Sequence, residues 1–212
     1  MARPREFDED EVLRVARDQF WSTGYAGTTM DAIAAATGLG KGSLYGAFGS
    51  KHQLYLRIFN AYCTDIVDAV GCRLDGPDDE AFERLCAHVR SIAANTAADT
   101  AHRGCLLAKG TAELSEHDSD VAARSRRTFE SLQEALAGNI EAAQRHGDID
   151  PAADPRKLAD LVLVVLRGIE ALGKGGTDKA ALKAIGETAL SVLPRSTEVA
   201  RPSGGPRPRN RG

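Results

Sequence analysis

The chain has 212 residues, a formal net charge of −3 and 42% apolar residues, enough to bury the cores of a small head and a larger body. The longest apolar run, Leu161 to Leu166, is far too short to span a bilayer, and the N-terminus lacks the apolar stretch of a secretory signal, so a cytoplasmic protein is expected. The negative charge gives no overall sign of nucleic acid, and Cys63, Cys72, Cys86 and Cys105, 9, 14 and 19 residues apart, fit neither a zinc site nor a C-x-x-C redox pair. Reduced thiols, no metal and no cofactor are the expectation.

Arg3 and Arg5 precede Glu6, Asp8, Glu9, Asp10 and Glu11, carboxylates that suit the positive N-terminal end of a helix. Arginines on such an arm can enter a minor groove; a solvated start is the equal alternative. The first helix is expected from Asp8 to about Thr23, with Val12, Leu13, Val15, Ala16 and Phe20 on its apolar side, Gly24 closing it, and Trp21 and Tyr25 packing the head. Thr29 then caps a helix carrying Met30, Ile33 and Ala34, and Gly38 supplies the positive φ that stops it. Beyond this turn Leu39, Leu44 and Phe48 point inward, leaving Lys41, Gly42, Ser43, Tyr45, Gly46 and Ala47 outward. Two helices about a tight turn make a helix-turn-helix, and the second suits close approach to a duplex. Lys41, Ser43 and Tyr45 can reach phosphate, Gly42, Gly46 and Ala47 let the helix sink into the major groove, and Lys51 can seat a second phosphate.

Gly38-Leu39-Gly40-Lys41-Gly42 is also glycine-rich enough to suggest a phosphate loop. Such loops follow a buried strand, whereas Asp31 to Ala36 is alanine-rich and helical in pattern, and the Walker spacing is absent.

A long helix from about Lys51 to Leu74, carrying Leu54, Ile58, Tyr62, Ile66 and Ala69, joins head to body as a lever. Gly76-Pro77 breaks the chain. A helix from about Asp79 follows with Phe82, Leu85, Cys86, Val89 and Ile92, then an apolar segment from Cys105 to Leu114, then a long helix after Asp118 bearing Val121, Phe129, Leu132, Leu136 and Ile140 and ending at Gly147. Asp148 to Pro155 holds three carboxylates but lacks the terminal glutamate of a calcium loop and reads as a connector. Asp154 caps and Pro155 opens the next helix, whose Leu158, Leu161, Val162, Val165, Leu166, Ile169 and Leu172 make it apolar on most sides. With a last helix from Thr177 to Leu193, carrying Leu182, Ile185, Ala189 and Leu193, it can supply half of an intermolecular four-helix bundle. The expected interface is Leu158, Leu161, Val165, Ile169, Leu172, Leu182, Ile185 and Ala189; two interior helices of a monomer are the alternative. From Pro194 to Gly212 the chain is rich in proline, glycine and arginine and reads as a disordered tail.

Gly24-Tyr25, Thr28-Thr29, Ile33-Ala34, Thr37-Gly38, Lys41-Gly42-Ser43-Leu44-Tyr45, Phe48 and Ser50-Lys51 together resemble the TetR family of one-component transcriptional regulators. The match is close over the first quarter of the chain; the remainder is similar to the family's variable body in length and helical pattern only. The resemblance implies a homodimer of all-helical subunits, usually a repressor, that binds a palindromic operator and releases it when a small molecule enters the body. It places DNA contacts at Thr28, Thr29, Lys41, Gly42, Ser43, Tyr45 and Lys51. Two departures, Gly40 where many relatives carry serine or threonine and Gly46-Ala47 where they carry larger side chains, leave more of the readout to DNA shape or the arm. The expected organisation is an all-α chain: residues 1–51 a three-helix head with its arm, 52–193 a helical ligand-binding and dimerisation body, 194–212 the tail.

Cys105, at a helix start beside His102 and Arg103, could carry a lowered thiol pKa and react with electrophiles or oxidants. The segment Arg103-Gly104-Cys105-Leu106 is similar to that of electrophile-sensing members of the family. A small buried core residue is the stronger reading. For an apolar effector the candidate pocket residues are Phe59, Tyr62, Val89, Phe129 and Leu132 beside Cys105. The competing functions are an all-helical enzyme or small-molecule binder without specific DNA binding, for which no catalytic constellation is visible, and a nonspecific DNA-compacting protein, which a negative charge does not suit.

Overall fold

The computed structural model describes residues 7–196. Arg3 and Arg5, and the tail beyond Ser196, lie outside the described residues. Within them the chain folds as α1 (Glu9–Gly27), α2 (Met30–Thr37), α3 (Lys41–Phe48), α4 (Lys51–Leu74), α5 (Ala81–Ala98), α6 (Leu106–Leu114), α7 (Ser119–His146), α8 (Pro155–Lys174) and α9 (Lys179–Ser191), with a 3-10 turn at Asp78–Glu80. No strand is present among the described residues beyond one isolated bridge between Ile149 and Arg195. The fold is all-α, as its helical periodicity requires.

Local chemistry accounts for most helix ends. Asp8, Thr29, Asp118, Asp154 and Asp178 each accept N–H groups of the following turn, and Ser50 with Gln53 closes a reciprocal capping box at the start of α4. Asp178 takes the cap of α9, so that helix begins at Lys179 rather than at the expected Thr177. Gly38 stops α2 in the left-handed conformation at φ 68°, which a side chain would oppose. At Gly24 the backbone turns to φ 82°, ψ 174°, breaking α1 into a long helix and a final loose turn; the expected stop is there, with one further turn beyond it.

The core is continuous from head to body. Phe20, Ile33, Leu44, Leu54, Tyr55 and Phe59 pack in one cluster with Leu106, Leu107 and Val121 of the body. A second cluster holds Leu85, Val89, Leu136, Ile140, Val162 and Leu166. The α4 helix carries residues of the first cluster along most of its 24 residues, roughly 36 Å at 1.5 Å per residue, and so joins head to body. The expected disordered tail needs one correction at its start. The Pro194 carbonyl accepts from Asp150 N–H at 3.0 Å, while Arg195 pairs with Asp148 at 3.4 Å and lies 3.7 Å over the Phe82 ring. Backbone pairing and a cation–π contact hold these residues on the body.

Candidate nucleic-acid interface and body cavity

In α3, Leu44 and Phe48 are buried, whereas Lys41, Gly42, Ser43, Tyr45, Gly46 and Ala47 are exposed. The inner face is therefore spent on holding the helix and the outer face carries only small groups, a lysine and the half-exposed Tyr45 phenol. The same surface includes Thr29, whose Oγ1 accepts from Ala32 N–H at 3.1 Å while the residue stays exposed. Lys41 Nζ lies 2.6 Å from Asp31 of α2, with both side chains more than 60% exposed. Such a solvent-screened pair readily yields its cation to a phosphate.

Two of the expected contact residues stand differently. Thr28 is 1% exposed; its hydroxyl donates to the Gly24 carbonyl at 2.7 Å and lies 2.8 Å from Thr23 Oγ1. Its hydroxyl is thus used inside the head and is not presented to DNA. Lys51 is half-buried, its ammonium donating to the carbonyls of Tyr25 at 3.0 Å and Thr28 at 3.1 Å and lying 4.2 Å over the Tyr25 ring. It pins the end of α1 to α4, and one of its three N–H bonds is left over for an anion.

The body holds a solvent-open cavity of ≈ 330 Å³ walled by α4, α5, α7 and α8, by the segment before α6 and by Trp21 of α1. Of the six expected pocket residues, Tyr62 and Leu132 line it. Phe59 and Val89 are 0% and 2% exposed and belong to the two core clusters, and Phe129 packs against the first. These three fill the core because they fall on helix faces turned toward neighbouring helices rather than toward the void. Ile66, Ile92 and Trp21 supply further apolar wall, and Arg73, His88, Asp99, Arg167, Glu170 and Lys174 add polar and charged groups to a surface that stays mostly apolar. Sequence periodicity missed these polar residues, since charged positions on long helices read as solvated surface.

Cys105 sits behind this wall, its Sγ 3.0 Å from Arg167 Nη1 and 3.9 Å from the Tyr62 hydroxyl. Burial pushes the thiol up, and the Arg167 guanidinium offsets only part of that. The buried position, 6% exposed, agrees with the favoured core reading and not with the alternative of a lowered pKa, because desolvation of a thiolate outweighs one cation that Glu170 already pairs at 2.9 Å. All four cysteines are free; Cys63, Cys86 and Cys105 are buried and Cys72 exposed.

Head and cavity meet at Trp21. Its ring lines the cavity, its Nε1–H donates to the Gly104 carbonyl at 2.8 Å, and its own carbonyl accepts from Lys109 Nζ at 2.8 Å. Glu113, one turn further along α6, accepts the N–H groups of Tyr25 at 2.8 Å and Ala26 at 2.7 Å. These donors and acceptors are free because α1 breaks at Gly24.

On the outside of the body, Leu161, Val164 and Leu172 are exposed by 43%, 68% and 44%, with Val165 and Gly168 half-buried between them. They form one stripe along α8 at helical spacing. Beside it on α9 Ala184 is exposed and Ala181 and Ile185 are half-buried, with Val192 exposed just past the helix end. Of the expected interface residues, Ile169 and Leu182 are corrected: at 0% and 1% exposure they face inward, packing together with Ala93. No helix among the described residues is long and apolar enough to cross a membrane.

Comparison with known proteins agrees with this architecture. The family model described as bacterial regulatory proteins, tetR family, matches residues 12–58, and that of the tetracyclin repressor-like C-terminal domain matches residues 81–188. The HTH-type transcriptional repressor ComR of Escherichia coli is 24% identical over 192 residues, 91% of each chain. A cysteine mutant of the TetR family transcriptional regulator CifR, solved in complex with 26-base-pair double-strand operator DNA, superposes with a TM-score of 0.78 at 27% identity, covering 91% of this chain and all of that one. A TetR transcriptional regulator from Chloroflexus aurantiacus gives a TM-score of 0.77 at 23% identity over 89% of this chain and 96% of its own. With its head and body each matched in order, the chain belongs to the TetR family of bacterial regulatory proteins.

Proposed function

We propose that the protein is a ligand-responsive repressor that binds a palindromic operator as a homodimer. The observation that carries this reading is the outer face of α3, stripped to Lys41, Gly42, Ser43, Tyr45, Gly46 and Ala47 while Leu44 and Phe48 anchor it from beneath. Small residues admit the helix to the major groove, and Thr29, Lys41, Ser43, Tyr45 and the spare donor of Lys51 contact phosphate or base edges. Thr28 acts behind them by shaping the loop. Operator DNA in the CifR complex and the repressor activity named for ComR support the assignment.

Dimerisation follows from the apolar stripe of α8 with the outer face of α9, where Leu161, Val164, Val165, Leu172 and Ile185 would meet their copies in a four-helix bundle. Two heads are then held at the separation that successive major grooves demand, roughly 34 Å. We divide the chain into a head of residues 1–51, a body of 52–193 and a tail of 194–212, with α4 packed into both units. An effector in the cavity reaches the head through Trp21 and the α1–α6 contacts. Preferring the DNA-incompetent spacing, it lowers operator affinity by its differential binding, often about 1–3 kcal/mol. The reading needs no catalytic residue, metal or cofactor, and places the protein in the cytoplasm with the DNA.

The test is binding of the full chain to the DNA upstream of its own coding region at two salt concentrations with unrelated competitor present. Tight, competitor-resistant binding by a dimer is expected. Only weak, strongly salt-dependent binding to every sequence offered would overturn site-specific regulation.

A further inference from the structure

The charges lining the cavity are lopsided. Both acidic side chains are committed inside the protein. Glu170 pairs with Arg167 at 2.9 Å, while Asp99 accepts the N–H groups of Arg103 at 2.7 Å and Gly104 at 3.4 Å and pairs with the Arg103 guanidinium at 3.6 Å. Arg73 and Lys174 have no carboxylate partner among the described residues. Arg73, itself exposed to solvent, instead points Nη1 at Nδ1 of His88, 3.4 Å away, which leaves the His88 proton on Nε2. His88 is 2% exposed, and burial together with the positive charges of Arg73 and Arg167 drives its pKa down to about 4. One end of the cavity thus holds two guanidinium groups around a neutral imidazole, and only one of them is balanced by an acid. Ile66, Ile92 and Leu132 stand beside it.

A cationic ligand would find no acid free to receive it. A neutral apolar ligand would fill the space and gain nothing from Arg73. An anion with an apolar skeleton satisfies both halves of the wall, since a carboxylate matches the planar guanidinium fork and the skeleton covers aliphatic surface. Resting on the reading of this cavity as the effector site, we propose that it binds an amphipathic organic carboxylate, charge on Arg73 at the His88 end and skeleton against Ile66, Ile92 and Leu132.

Trp21 is the chain's single tryptophan and lines the cavity, so its emission reports occupancy directly. The full chain is titrated with octanoate and 4-phenylbutanoate and with their neutral primary amides, by Trp21 emission and by calorimetry, for wild type and Arg73→Gln. The carboxylates are expected to bind about tenfold or more tighter than their amides, as a charge-assisted pair over a neutral one requires. In Arg73→Gln that preference should shrink to about threefold or less with amide affinity unchanged. Equal binding of acid and amide, a preference that survives Arg73→Gln, or no binding of any probe overturns the proposal. Operator binding by the same preparations separates the two readings. Intact operator binding without acid preference removes the anion and keeps the regulator, whereas loss of the regulator reading shows as absent specific DNA binding with or without probe.

Discussion

Glu113 of α6 takes both N–H groups that the break in α1 sets free, those of Tyr25 at 2.8 Å and Ala26 at 2.7 Å. Four residues earlier Lys109 takes the carbonyls of Trp21 at 2.8 Å and Ser22 at 3.1 Å. One helix of the body therefore grips both polarities of the end of α1. The grip lies against Trp21, which also touches the cavity. Glu113→Ala leaves two amides without their anionic acceptor and should cost about 1–3 kcal/mol, read as a lower urea midpoint. Glu113→Gln should lose less, because an amide oxygen still accepts. If α6 carries the signal, Glu113→Gln retains operator binding and loses part of its release by effector.

The exposed phenol of Tyr45 and the engaged ammonium of Lys51 predict different phenotypes. Tyr45→Phe should weaken binding to operator and to random DNA by the same factor of about five, the worth of one hydrogen bond to phosphate, and leave the thermal midpoint unchanged. Lys51→Met should weaken binding and also lower the midpoint, since it releases the Tyr25 and Thr28 carbonyls. Fluorescence anisotropy at several salt concentrations, paired with thermal denaturation, distinguishes them.

Val164 is the most exposed large apolar side chain of the α8 stripe, at 68%. Val164→Glu should give a folded monomer by sedimentation with unchanged helical circular dichroism. Its operator affinity should drop by about 100-fold or more, because the second head no longer binds at high effective concentration. Leu182→Glu should unfold the body instead, since Leu182 packs against Ile169 and Ala93 within its own chain and a buried unpaired carboxylate is costly.

His88 gives the stability a pH dependence of definite sign. Its pKa is lowered to about 4 in the folded protein from an ordinary 6.5, so between those values the unfolded chain binds the proton that the folded chain refuses. The contribution is fully present above pH 6.5 and is lost as pH falls toward 4. Between pH 7.5 and pH 5 it amounts to about 2 kcal/mol. Urea denaturation of wild type and His88→Gln at the two values checks this: the wild type should lose more stability on acidification by about that difference.

The helix-turn-helix was legible in the sequence because its determinants are local. Thr29 and Ser50 cap helices within one turn of themselves, Gly38 stops one, and Leu44 and Phe48 recur at the spacing that puts them on one face. The order of the body helices was legible for the same reason. The roles of Thr28 and Lys51 were not, because Thr28 is buried by a kink at Gly24 and Lys51 reaches carbonyls 23 and 26 residues away. Nor could periodicity divide the apolar sides of α8 between a core and a partner. A helix that is apolar on most sides has two burials to satisfy, and packing against α5, α7 and α9 decided that Ile169 faces in and Val164 faces out. The cavity belongs wholly to the tertiary level. Arg73 and His88 come from the consecutive helices α4 and α5 and Arg167 from the distant α8, and their shared wall exists only because those helices pack without filling the space between them. Sequence determined what most segments are and, to within a turn, where they end. Packing decided which polar groups meet, because contacts across 60 to 90 residues depend on how whole helices lie and leave no periodic trace in the chain.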